Sequence, residues 1–185
     1  MKIASIFFLV ALTAAQAALD LTPVVGVRVL DGIKFQQLSF SDNGHTITYE
    51  QPMGWSYRAE TNRVVFVPPN LSQAEAAIEQ VQPEAGQTFD EETMKRLQEQ
   101  VLRSAPAGSQ KAEVVTAEKN PVMINRQETF EVTISYQISG TPFRRSVLFL
   151  NLPDTQVRFR VTAKEQDFEK VHRAFRGSVY SWQWQ

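Results

Sequence analysis

The sequence predicts an α+β domain built on a largely antiparallel sheet. Three observations carry this. Thr129 to Ile138 alternate without a break, with Phe130, Val132, Ile134, Tyr136 and Ile138 on one face and Glu131, Thr133, Ser135 and Gln137 on the other. That is the period of a strand buried on one side. Phe168, Val171, His172, Phe175, Val179 and Trp182 recur as one stripe of a 3.6-residue helix. Strand patterns come in blocks, with helical patterns between and after them, which favours antiparallel pairing over strict βα alternation.

In chain order, Val24 to Leu30 is a β-branched run and reads as a first strand. Asp31-Gly32 marks a turn before a short strand, Phe35 to Phe40. Asn43-Gly44 suits the primed hairpin turns and leads into His45 to Glu50, where Ile47 and Tyr49 share a face. Pro52-Met53-Gly54-Trp55 breaks the chain. Strands follow at Tyr57 to Arg58 and Val64 to Val67. Ser72 to Val81 reads as a short helix, with Ser72 and Glu75 at capping-box spacing. Asp90 to Arg103 reads as a longer helix with Met94, Leu97, Val101 and Leu102 along a stripe. Its first turn holds Glu91 and Glu92 and its last Arg103, as the helix dipole favours.

Ala112 to Lys119 is a further strand, and Pro121 to Arg126 a bend or short strand. After Thr129 to Ile138, Ser139-Gly140-Thr141-Pro142 supplies a turn. Phe143 to Leu152 contains the unbroken apolar run Val147 to Leu150, which predicts a central strand covered on both faces. Thr155 to Thr162 alternates again. The final helix is expected to start at a second capping box, Thr162 with Glu165. Gly177 is unfavourable inside a helix by about 1 kcal/mol, but Val179 and Trp182 keep the phase, so the helix is read through it.

The first 17 residues have the three parts of a secretory signal peptide. Lys2 is the positive start, Ile3 to Leu12 the apolar core, and Ala15-Gln16-Ala17 the cleavage site. The expected mature protein is a single domain over residues 18–185, exported to the periplasm or outside the cell, with no transmembrane segment after cleavage. No cysteine is present, so neither a disulfide nor a cysteine-linked lipid is available. Loss of Lys2 moves the formal net charge from −1 to −2. This near-balance argues against a dedicated nucleic-acid binder, which carries a basic excess.

Some of these residues resemble the Mog1/PsbP/DcrB superfamily. The Pro52-Met53-Gly54-Trp55 turn enters a strand near Tyr57. The closing unit runs Arg158-Phe159-Arg160-Val161-Thr162, then Phe168, Phe175, Ser178-Val179 and Trp182. The resemblance covers nearly the whole mature chain as element order. It implies an α/β/α sandwich with the C-terminal amphipathic helix packed on the sheet. It also implies the varied settings of that superfamily: photosystem assembly, partnership with a small GTPase, and bacterial periplasmic proteins. These are fold-forming residues, so the resemblance transfers no functional residue.

Candidate chemistry is sparse. His45 flanks a hairpin turn near Asp42, and His172 lies on the apolar helix stripe. His45 reads as a turn-flanking polar residue more readily than as an acid–base group oriented by a carboxylate, and His172 as a boundary histidine with one hydrogen bond more readily than as a metal ligand or pH-sensitive buried group. Two histidines without cysteine do not make the usual zinc site, and no cofactor is expected. Arg144, Arg145, Arg158 and Arg160 lie on two neighbouring strands. They either line an anion site, since guanidinium forks match carboxylate and phosphate, or pair with carboxylates across strands. Trp55, Tyr57, Tyr180, Trp182 and Trp184 are a local excess of aromatics, either interface anchors or core and rim. The candidate contact residues for a protein partner or small ligand are therefore Trp55, Tyr57, Arg144, Arg145, Arg158, Arg160, Trp182 and Trp184. The sequence contains no glycine-rich phosphate loop, nucleophile elbow or metalloprotease helix. The reading is of an exported, non-enzymatic binding or assembly-accessory protein. The alternatives are a carrier with an apolar pocket and, third, a hydrolase with dispersed residues.

Overall fold

The computed structural model describes residues 19–82 and 88–185. Residues 1–17, expected from the sequence to be a signal peptide, lie outside the described residues. Among the described residues eleven strands form two sheets, accompanied by two helices. The smaller sheet contains β1 (Asp20–Leu30), β2 (Ile33–Asp42), β3 (His45–Glu50) and the short β11 (Gln183–Trp184), in that order. The larger sheet starts with the meander β4 (Ser56–Glu60), β5 (Arg63–Val67) and β6 (Glu75–Val81). The chain then crosses through α1 (Glu91–Arg103) to the opposite edge. It returns as β7 (Gln110–Lys119), β8 (Thr129–Ile138), β9 (Thr141–Asn151) and β10 (Gln156–Lys164). β10 pairs with β6 and joins the two meanders, and every pairing is antiparallel. The last helix, α2 (Glu165–Val179), follows β10 directly.

The helices lie on opposite faces of the larger sheet. Side chains alternate across a strand, so residues of one parity meet α1 and those of the other meet α2. Leu97 and Val101 of α1 pack with Phe89, Phe130, Val132, Ile134, Tyr136, Val147 and Phe149. Phe168, Val171, Phe175 and Val179 of α2 pack with Leu148, Leu150, Phe159 and Val161 and with Leu38, Phe40, Ile47 and Tyr49 of the smaller sheet. One face of the larger sheet is thus shared by α2 and the smaller sheet. On the other, α1 packs over β7 and β8.

Local chemistry explains most boundaries. Asn43 and Gly44 both take positive φ (47° and 86°) at the β2–β3 turn, as a type I′ turn requires. Asp90 caps α1: its Oδ1 accepts the Thr93 N–H at 2.8 Å. β9 is buried on both faces from Arg145 to Leu150, as its apolar run predicts.

Four expectations are corrected. Ser72 to Val81 is not a helix. The Leu71–Ala74 turn, closed by Ala74 N–H to Leu71 O at 3.0 Å, leads into strand β6. Glu75 and Glu79 sit at helical spacing, but they are also an even number apart. Ala76 and Ile78 are buried between β5 and β10, and tertiary burial overrides the helix propensity of alanine and glutamate. The second capping box is absent. Thr162 stays in β10 and accepts from Arg145 Nε at 3.0 Å, while α2 begins without a side-chain cap bond. β8 is buried on both faces rather than one: Glu131 meets His172 and Arg176 of α2, and Thr129 is covered by the preceding loop, where its hydroxyl bonds Val122 O. Trp182 lies beyond α2, after a tight turn in which its N–H bonds Val179 O at 3.1 Å.

α2 does continue through Gly177, which is exposed. A Cβ built there meets no atom within 4 Å. Gly177→Ala is therefore expected to raise stability by about 0.5–1 kcal/mol, read as a higher denaturation midpoint. An unchanged or lower midpoint would show that this turn of the helix needs glycine for another reason.

Candidate functional site

Three groups of residues bear on function. The first is the arginine set. Arg144 points to the α2 side and pairs with Glu165 at 2.6 Å and Glu169 at 3.8 Å. Arg145 turns to the α1 side. It donates to the Ser104 carbonyl at the end of α1, and its guanidinium lies 5.7 Å from the Tyr136 ring centroid. Burial pulls the Arg145 guanidinium below its ordinary value. Arg160 is locked between Glu79 at 2.9 Å and Glu75 at 3.2 Å. These extend a charged ladder through Arg63, Glu60 and Arg58 across four strands.

Arg158 differs from its neighbours. Its Nε donates to Gln156 Oε1 at 2.8 Å, and its guanidinium stacks over Phe149, 5.4 Å from the centroid. Among the described residues no carboxylate lies within ion-pair distance of it, although Glu79 acts on it from farther away. Burial lowers the affinity of this guanidinium for its proton. Arg158 lines a cleft of about 510 Å³ between α1 and the β6–β10 seam, together with Arg96, Leu97, Gln100, Arg103 and Gln156.

The second group surrounds Glu131, whose carboxylate is buried beneath α2. Its Oε1 meets His172 Nε2 at 2.7 Å and accepts from Ser146 Oγ at 2.6 Å, while Arg176 lies 3.4 Å from Oε2. His172 stacks on Phe168 at 5.1 Å between centroids. Burial alone pushes the Glu131 carboxyl up. The bonds and charges of His172, Ser146 and Arg176 outweigh it and hold the group below the ordinary carboxylate range. A serine nucleophile needs its hydroxyl on the imidazole of its base. Here the serine and the histidine both bond the carboxylate, and Ser146 is fully buried. This arrangement ties a helix to a sheet. The sequence analysis singled out His172 but not Glu131 or Ser146, because the partners lie far apart in sequence.

The third group is aromatic. Trp55 is buried and stacks on Phe175 at 6.3 Å. Tyr57 is half-buried against Phe66. Trp182 is 1% exposed and touches Phe40, Tyr49, Phe159 and Trp184. Trp184 is half-buried and donates its Nε1–H to Asp42 at 3.2 Å. His45 is exposed at the β2–β3 turn. Among the described residues no cluster of three or more potential metal ligands occurs, and no helix is long and apolar enough to cross a membrane.

Sequence reasoning missed the most exposed apolar feature, the β1–β2 hairpin. Val24, Val25, Val27, Val29, Leu30 and Ile33 are 48–69% exposed. They occupy both faces of the ribbon. The β-branched run was legible, but its lack of cover was not.

Neither a family model nor a curated protein matches the sequence. Solved structures do. The chain is similar to the solution structure of cyanobacterial PsbP (CyanoP) from Synechocystis sp. PCC 6803. The two share 16% identity over 85% of this chain and 97% of that one, with a TM-score of 0.56. The fold is PsbP-like. LpqN of Mycobacterium tuberculosis, involved in cell envelope biogenesis, shares this PsbP-like fold at 13% identity. That match covers 76% of this chain and 83% of LpqN, with a TM-score of 0.53. PA94 from Pseudomonas aeruginosa matches at 11% identity over 84% of this chain and 94% of its own, with a TM-score of 0.50. At such identities the PsbP-like core is shared as architecture, and residue roles do not transfer.

Proposed function

We propose that the protein is an exported, non-enzymatic accessory module. In this reading it binds an extended segment of another protein along the β1 edge of the smaller sheet. The observation that carries the reading is the exposed β1–β2 hairpin. Contiguous exposed apolar surface marks interaction sites. Among the described residues β1 is the end strand of its sheet, and the outer backbone groups of an end strand are a template for an added one. Arg28 pairs with Glu50 and lies over Phe35, which links β1 across β2 to β3 in the outer half of the hairpin. The occupant that suits this edge is an apolar, β-branched strand from a partner. The leader pattern of the first 17 residues and the fold shared with LpqN, a cell-envelope biogenesis protein, support the exported setting.

The test places photo-crosslinking residues at Val25, Val27 and Val29 in the exported fraction of the host, with Glu118 on β7, an end strand of the larger sheet, as control. One and the same heterologous adduct from all three hairpin positions is expected. It should be absent from Glu118 and abolished by Val27→Asp with Val29→Asp at unchanged melting temperature. Adducts equally strong from Glu118, no adducts, or an adduct of twice the chain mass would overturn the reading, the last by naming a second copy as the occupant.

A further inference from the structure

The cleft beside Arg158 goes beyond the hairpin reading and is independent of it. Arginines with a carboxylate at contact distance recur through this structure: Arg28, Arg58, Arg63, Arg144, Arg160 and Arg176 each have one. Arg158 instead has an amide on its Nε and a benzene ring under its face. Gln156, which holds it, is 1% exposed and is itself fixed by a 2.8 Å bond to Asn151 Oδ1. The guanidinium is therefore oriented before any ligand arrives, which lowers the ordering cost of binding. Across the cleft Arg103 faces the same space. Its only carboxylate contact among the described residues is a 3.6 Å pair with Glu99, both side chains more than half exposed. Such a pair contributes little and yields readily to a competing anion. Among the described residues no acidic side chain lines the cleft, and Val81 and Leu97 supply apolar surface.

We propose that this cleft binds a small organic oxyanion, a carboxylate or phosphate ester. The guanidinium groups of Arg158 and Arg103 hold its charged end, and Val81 and Leu97 pack against its apolar body. A guanidinium fork matches either oxyanion with two parallel N–H···O bonds. A volume of about 510 Å³ is that of a small-molecule site. The polar lining distinguishes it from the apolar pocket that a lipid-type carrier needs.

Titration calorimetry with phenyl phosphate, benzoate, inorganic phosphate and neutral benzyl alcohol tests this, with arginine Nε–H NMR signals as the site-specific readout. Saturable binding of phenyl phosphate or benzoate is expected, with a shift of the Arg158 Nε–H resonance. Inorganic phosphate should bind more weakly and benzyl alcohol not at all. Arg158→Gln should weaken binding by about tenfold or more. Arg158→Lys should fall between, since it keeps the charge but loses the fork. Arg103→Gln, a surface change that leaves the core intact, should weaken binding by a smaller factor. Arg173→Gln on the α2 side, and the paired aspartate variant of the hairpin, should leave affinity unchanged. No saturable binding of either aryl anion, equal affinity in Arg158→Gln with its fold retained, or equal binding of benzyl alcohol would overturn the proposal. Inorganic phosphate binding as tightly as phenyl phosphate would remove the apolar part of the site.

Discussion

Trp182→Ala is expected to cost about 3–5 kcal/mol of stability. The side chain is 1% exposed and sits where the two sheets and the end of α2 meet. Its ring stacks on Phe40 at 5.6 Å and meets Phe159 edge-on at 5.3 Å and 89°. Aromatic pairs of this kind add roughly 0.5–1.5 kcal/mol beyond area burial. Truncation also loosens the segment that carries β11 into pairing with β3, where Gln183 lies opposite Thr48 and Trp184 opposite Ile47. The expected observations are a lower urea midpoint and faster amide exchange at Thr46, whose N–H bonds Gln185 O. The indole Nε1 has no hydrogen-bond partner among the described residues. Trp182→Phe is therefore expected to cost much less than the alanine change, because it removes volume but also a buried, unpaired donor. Equal losses in the two variants would place the weight on the indole N–H rather than on packing.

Glu131→Leu is expected to lower stability at neutral pH by about 3 kcal/mol. The change strands Ser146 and leaves His172 and Arg176 without their shared acceptor. The low end of the usual range is expected, because Arg176 keeps a 2.7 Å bond to Pro121 O and is one-third exposed. The pH dependence has a definite sign. The folded carboxyl lies below its ordinary value, so below about pH 4.3 the unfolded chain binds the proton first. The stability contributed by the carboxylate is fully present above that value. It is lost as pH falls through the folded value. Chemical denaturation of wild type and variant at pH 5 and pH 3 checks this. The gap between them should shrink at the lower pH, and a constant gap would show that the carboxylate's charge contributes nothing.

Where the pattern was local, the sequence read well. The Asn43-Gly44 turn, the helix that ends at Arg103, and the alternation of β10 each rest on residues a few positions apart. What was hidden rests on contacts between distant residues. Glu131 was read as part of a solvated face, because nothing near it in sequence announces His172, 41 residues on. β6 was misread because Glu75, Ala76, Ala77 and Glu79 satisfy a helix as well as a strand, and only its neighbours β5 and β10 decide. The four arginines were grouped by proximity along the chain. Adjacent residues of a strand point to opposite faces, which separates Arg144 from Arg145. The partner that Arg158 meets across the cleft, Arg103, was legible only as the basic end of a helix. The division of the strands into two sheets was not legible either, since hairpin patterns fix pairing and not layering.

The seam between β6 and β10 has a kinetic consequence. Glu79 and Arg160, which bond diagonally across it, are 81 residues apart. Each meander assembles from neighbouring hairpins, but the seam must wait for the chain to close that long loop. Such non-local closure places folding in the millisecond-to-second range rather than the microsecond range of helical bundles. During that interval β6 and β10 are both bare edges, with Ile78 and Phe159 not yet opposed. These are the strands on which misassembly, or capture by a holding factor, would act.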